Sequence, residues 1–306
     1  MPARVQRFFD LGMTVTVFLW GFNYVALKIA YREMAVPTMS LTRFLLTWAA
    51  MALVCLARRE SLRYPKGDAL RLLLLGFLGN GVYMVLFLEG MARTSAAEGA
   101  IIVNSAPVFT ILAAALYGYE RMHAATAVGA VVALAGVAMV ALGGKASVDG
   151  DLVGGALILA AAVVWGWCAI LTRPLVERYA PFRVLTLSMA GAAVVIVPYG
   201  FSATVAAPWG HYSTATYLAT CHVGLLSGAV GFSLFYAGIR RVGPIGAILY
   251  QYAVPIAAAV FAWMLLGDKL GWIQLGGTLV VFAGVGLATW GRQGRAAAKE
   301  AVQHGK

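Results

Sequence analysis

The chain is 306 residues long, 61% hydrophobic and 11% charged, with a mean hydropathy of +0.83 and a formal charge of +11. A soluble domain carries about a quarter charged residues and cannot hide this much apolar surface in one core. A soluble fold is therefore excluded. The basic residues stand singly or in pairs between apolar runs and form no basic face, which removes nucleic acid as a partner and suits loops on one side of a bilayer.

Taken in chain order, ten apolar runs are long enough to span a bilayer, each needing roughly 20 residues. They cover about 9–30, 37–57, 69–91, 96–119, 123–142, 152–173, 182–204, 214–239, 244–266 and 270–290. Arg4 and Arg7 before the first run imitate a signal peptide. However, Trp20-Gly21 and Lys28 recur 145 residues later as Trp165-Gly166 and Arg173, so the first run is expected to stay in the protein. The fourth and fifth runs recur at an offset of 148. Pro107 falls on Pro255, Glu120-Arg121 on Asp268-Lys269, Gly129 on Gly277, and Ala135-Gly136-Val137 on Ala283-Gly284-Val285. Gly76, Phe87 and Gly90 fall on Gly224, Phe235 and Gly238 at the same offset. The period is too long for a solenoid and reads as duplication of one half.

Lysine and arginine bias sets the orientation. With the N-terminus inside, all the outer segments together hold only Arg32, Arg93, Lys145 and Lys269, and both termini are cytoplasmic. Five spans per half is an odd number, so the second half enters the membrane from the opposite side. The expected fold is all-α and integral to the membrane: ten transmembrane helices as two inverted five-helix repeats, residues 1–145 and 146–306, the second ending in a short cytoplasmic tail. Such an arrangement suits a carrier that opens alternately to each side around a central site.

These motifs, in this order and duplicated, resemble the drug/metabolite transporter superfamily, and within it the tandem EamA-domain members. The residues that carry the resemblance are Trp20-Gly21-Phe22-Asn23, Arg43, Asn104-Ser105-Ala106-Pro107-Val108 and Ala135-Gly136-Val137. In the second copy they are Trp165-Gly166, Val254-Pro255, Gly267-Asp268-Lys269 and Ala283-Gly284-Val285. The resemblance implies ten helices in the bacterial inner membrane and export of small metabolites, often amino acids, with an aromatic amino acid exporter as one form.

The candidate site follows from polar and aromatic residues inside the spans. Pro107 and Pro255 each remove a backbone hydrogen bond and are expected to kink their helices. The polar neighbours Asn104, Ser105, Gln251 and Tyr252 either satisfy the freed carbonyls or meet substrate. Trp20 and Tyr24 share a helical face, as do Tyr83 and Phe87, and Phe232 and Tyr236. With Trp165 and Trp263 they either pack the core or wall a cavity for a planar, partly apolar substrate. Asn23 and His222 complete the candidate substrate-binding set, although for His222 a neutral ring bonded to a neighbour is the more ordinary reading. Arg43 has two readings, a holder of a substrate carboxylate or a partner of Glu89, while Glu89 with Arg93 reads as an i,i+4 surface pair. Gly129 and Gly136, like Gly277 and Gly284, share a face and suit close helix packing.

The function expected is secondary transport of small metabolites, with neutral or aromatic amino acids first. A proton-coupled multidrug, purine or nucleotide-sugar-like exporter of the same fold is the alternative. A membrane-embedded enzyme would need an HExxH, an acid/base pair or a nucleophile elbow, and a channel would need charged rings or carbonyl-rich loops; neither pattern is present. Cys55, Cys168 and Cys221 lie singly inside apolar runs and read as packing. No cofactor or metal is expected. The partners are a small-molecule substrate and the lipid bilayer, and a monomer is the simplest assembly.

Overall fold

The computed structural model describes residues 10–117, 124–144, 152–268 and 271–287. The Glu120-Arg121 turn, Lys145, Lys269 and both tails of the chain lie outside these residues. No strand occurs among the described residues. Helix α1 (Leu11–Ala30) begins at Asp10, whose carboxylate accepts the Met13 N–H at 2.8 Å. Helix α2 (Val36–Ala57) opens with Pro37, whose missing donor is no loss in a first turn. Helices α3 (Lys66–Gly76) and α4 (Tyr83–Arg93) form one stretch joined by a π-helical segment, π1 (Phe77–Val82). The first half continues with α5 (Ala96–Val103), α6 (Ala106–Leu116) and α7 (Ala124–Gly144). The second half runs through α8 (Leu152–Arg178), α9 (Pro181–Val205) and α10 (Thr214–Cys221). A second π-helical segment, π2 (His222–Gly231), leads into α11 (Phe232–Gln251), followed by α12 (Ala253–Leu266) and α13 (Trp272–Leu287). Among the described residues six helical stretches are long and apolar enough to cross a membrane.

Two features depart from the sequence expectation. The prolines mark breaks where kinks are expected. Pro107 in the first turn of α6 has no N–H to return to Val103, and the chain turns at Asn104 and Ser105 with ψ of 0° and −11°. Tyr252 turns likewise, with ψ of −21°, three residues before Pro255. Secondly, the expected connection at 240–243 is helical, and α11 runs on to Gln251. Pro244 withdraws one donor there without ending the helix.

At the offset of 148, π1 falls inside π2. Gly76, Gly79 and Gly81 gather at the first, and Gly224, Gly228 and Gly231 at the second. Glycine holds a regular helix poorly, by about 1 kcal/mol each relative to alanine, so these runs yield to a wider turn. Such π turns concentrate at functional sites.

The halves exchange equivalent contacts. Helix α1 packs on α12 and α8 on α6, while α2 pairs with α9; α3 and π1 also lie on α9, and π2 on α2. A Cβ on Gly21 would sit 2.7 Å from Ala257, two residues past Pro255. One on Gly166 would sit 2.8 Å from Phe109, two residues past Pro107. Gly76 lies on the Ser188 carbonyl, as Gly224 lies beside that of Arg43. Gly136 meets the Gly277 carbonyl, and Gly284 meets that of Gly129. The repeated glycines of the fifth and tenth runs thus pack against each other, α7 on α13. Small residues on both sides are what permit such close backbone approach.

Candidate functional site

Two adjoining cavities lie where these crossings meet. The smaller, about 80 Å³, is bordered by Trp20, Asn23, Tyr24, Arg43, Asn104 and Gln251 among others. The larger, about 150 Å³, runs from Trp165 past Asn80, Cys168 and Tyr236 to Thr172 and Arg173. Ala106, Pro107, Trp165 and Gln251 border both. The proline break therefore sits at the seam.

A run of rings forms the wall. Trp20 lies 5.3 Å from Phe232 and 4.9 Å from Phe235 by ring centroids, and its Nε1 donates to the Ser227 carbonyl at 3.2 Å. A side chain on Gly231 would meet that indole nitrogen at 2.6 Å, so π2 is shaped to seat Trp20. Phe232 continues to Trp165 at 5.7 Å, Trp165 to Tyr83 at 5.2 Å, Tyr83 to Phe87 at 5.7 Å and Phe87 to Tyr24 at 5.9 Å. Edge and offset contacts of this kind add about 0.5–1.5 kcal/mol each beyond burial, which fixes the wall's shape.

Polar groups facing the smaller cavity are few and unsatisfied. Arg43 is 5% exposed and its Nη1 has no hydrogen-bond partner; the same holds for Asn23 Oδ1 and Asn104 Nδ2. Glu89 does not reach Arg43, because it accepts from the Tyr199 hydroxyl and lies 4.0 Å from Arg93. The pairing alternative for Arg43 is thus removed, and the i,i+4 pair is present.

Of the expected site residues, Trp20, Asn23, Tyr24, Tyr83, Asn104, Pro107, Trp165 and Gln251 converge here. The others stand apart. Ser105 is fully buried with its hydroxyl on the Ile102 carbonyl at 2.8 Å. His222 Nε2 bonds the Leu19 carbonyl at 3.0 Å and its ring lies edge-on to Phe22. Tyr252 packs on Phe282. Pro255 is buried in the α1–α12 crossing. Trp263 is 63% exposed on the outside of α12. Four residues escape the sequence reading. Asn80, which donates to Ser188 Oγ at 3.3 Å, and Ser227 sit among the glycines of π1 and π2, which was the available signal. Cys168 borders the larger cavity instead of only packing. Glu98, 2% exposed, closes a capping box with Ser95 and accepts from Gln274 Nε2 at 2.5 Å, joining α5 to α13.

The sequence profile of the EamA-like transporter family matches residues 7–142 and again 152–290. The chain belongs to this family. As an EamA transporter it carries two copies of the repeat. It is similar to a protein of Streptantibioticus cattleyicolor described as a "probable terminal-alkyne amino-acid exporter", with 31% identity over 90% of this chain and 91% of that one. A "probable amino-acid metabolite efflux pump" of Salmonella typhimurium is 24% identical over 93% of this chain and 96% of its own. A crystal structure with 20% sequence identity superposes at a TM-score of 0.64, covering 94% of this EamA chain and 97% of its own, and so shares the fold. The chain is a multi-pass membrane transporter, and among the described residues no cluster of three or more His, Cys, Asp or Glu offers a metal site.

Proposed function

We propose that this protein exports small neutral or aromatic amino acids, or similar partly apolar compounds, by alternating access across the bacterial inner membrane. The observation that carries the reading is the ring-walled cavity at the seam between the two EamA copies, with its three unsatisfied polar atoms. A site of mostly apolar wall with few convergent polar groups suits such a ligand. The names of two relatives, an amino-acid exporter and an amino-acid metabolite efflux pump, point the same way.

The proposed membrane arrangement is ten spans, five per copy, in opposite orientations with both termini cytoplasmic. The exchanged glycine contacts support it, because a two-fold relation makes each contact recur between equivalent residues. In that orientation the larger cavity runs toward the cytoplasm at Arg173. Near the other face Tyr31 donates to the Leu88 carbonyl, and Glu33 accepts from Ser213 and Thr216. With no carboxylate among the described residues of either cavity wall, the cycle runs down the substrate's own gradient. Proteoliposomes loaded with labelled phenylalanine or leucine test this. Counterflow is expected without a substrate-driven change in pH. Absence of movement for every neutral and aromatic amino acid overturns the reading.

A further inference from the structure

We propose that Arg43 anchors an organic carboxylate, and that the amino group of an amino acid is dispensable to the site; as a statement about transport this rests on the reading above. The guanidinium lies seven residues into α2, about 10 Å from the helix start at 1.5 Å per residue. A charge so placed is costly by several kcal/mol unless something opposes it. Carboxylates of the first half are engaged elsewhere: Glu89 with Tyr199 and Arg93, Glu33 with Ser213 and Thr216, Glu98 with Ser95 and Gln274. What faces Arg43 is the smaller cavity, with Tyr24, Tyr83 and the unsatisfied amide nitrogen of Asn104.

Two unsatisfied donors, one of them a planar fork, converge on a space too small for more than a compact head group. A carboxylate matches that fork. The amine of an amino acid meets a different reception. Asn23 Oδ1 is the unsatisfied acceptor, and the remaining wall is aromatic; no carboxylate among the described residues offers a counter-charge. The tail then extends past Pro107 and Trp165 into the larger cavity, between Leu72, Cys168, Val176 and Phe235. The ligand class is an acid with a compact head and an apolar tail, of which an α-amino acid is one example.

Magnitudes separate the two contacts. The ammonium's one contact, Asn23 Oδ1, gains a charge-assisted hydrogen bond. Burying a cation with no carboxylate opposite among the described residues offsets most of it, leaving a net effect of about tenfold or less in affinity. Removing one member of a buried charge pair costs about thirtyfold or more. Binding is measured calorimetrically on the full chain in nanodiscs with phenylalanine, 3-phenylpropionate, phenylalaninamide and phenethylamine. Phenylalanine and 3-phenylpropionate are expected to bind within about tenfold of each other. The amide and the amine are expected to be weaker by about thirtyfold or more. Arg43→Gln should remove binding of both acids, and Arg43→Lys should restore part of it. If Arg43→Gln does not fold, the ligand series on the unaltered chain decides alone. Equal binding of phenethylamine, or failure of both acids to bind, overturns the anchor. A chain that binds both acids through Arg43 yet moves neither across a membrane overturns the transport reading and leaves the anchor standing.

Discussion

The two cavities are counterparts of each other, and they have diverged. Shifting the first helix by 145 residues carries Trp20 onto Trp165, Asn23 onto Cys168 and Tyr24 onto Ala169. The same shift carries Arg43 onto Ser188, and the later offset of 148 carries Phe87 onto Phe235 and Val103 onto Gln251. The first member of each pair borders the smaller cavity and the second the larger. Where the first copy has Asn23, Tyr24 and Arg43, the second has the smaller, uncharged Cys168, Ala169 and Ser188, and the cavity beside them has nearly twice the volume, about 150 Å³ against 80 Å³. Duplication thus supplied a matched scaffold, and substitution split it into a place for a polar head and a place for an apolar tail.

The largest effect that distinguishes the copies is expected at their glycines. Gly76 rests on the Ser188 backbone, which cannot yield, whereas Gly224 rests mainly on the Leu46 side chain, 2.7 Å from where a Cβ would stand. Gly76→Ala should destabilise by about 3 kcal/mol and Gly224→Ala by about 1, read as unfolding in detergent. Equal losses would mean that the two crossings do not differ in this way. Next, a small maleimide on Cys168 should block most transport, with substrate slowing the reaction and Cys168→Ala abolishing the block. Cys221, on the outer face of α10 within a membrane-length stretch, borders neither cavity and should contribute nothing to the block. Of the paired tryptophans, Trp165 borders both cavities and Trp20 only one, so Trp165→Leu should raise KM about tenfold and Trp20→Leu about threefold. The smallest effect concerns Asp10, which has Gly155 as its counterpart and therefore no twin. Arg241, donating to Asp10 at 2.6 Å, holds its carboxyl below the usual value of 3.8. Its contribution is present above about pH 4 and disappears as pH falls through the lowered value. Asp10→Asn should lose about 1 kcal/mol or less at pH 7, and in thermal unfolding the difference should close once the pH lies below the lowered value.

The duplication and the ring wall were readable because both rest on spacing. Prolines and glycines repeat at fixed offsets, and Tyr83 with Phe87 lie one turn apart. Membership of an EamA-type family was legible for the same reason. What spacing cannot convey is which partner arrives from far along the chain. Arg43 is unopposed because Tyr199, 110 residues beyond Glu89, takes that carboxylate. His222 is occupied because π2 brings its ring to the Leu19 carbonyl. Trp263 faces outward on a helix that is apolar all round, so its sequence gave no sign of which side meets the bundle. The continuation of α11 through 240–243 was hidden because Gly243-Pro244 reads as a stop signal, whereas the helix runs on past it with one backbone donor missing.

The π segments carry one more consequence. A π turn winds an extra residue into the helix, and one residue corresponds to about 100° of rotation. If π2 tightened to ordinary winding, α11 would revolve relative to α10 and sweep Phe232, Tyr236 and the Ser227 carbonyl to new bearings without the helix coming apart. Trp20, moored to that carbonyl, would be released in the same motion. π1 offers the matching twist beneath Tyr83 and Phe87. The stretches α3–π1–α4 and α10–π2–α11 are therefore wound like two torsion springs, set at equivalent points of the two copies.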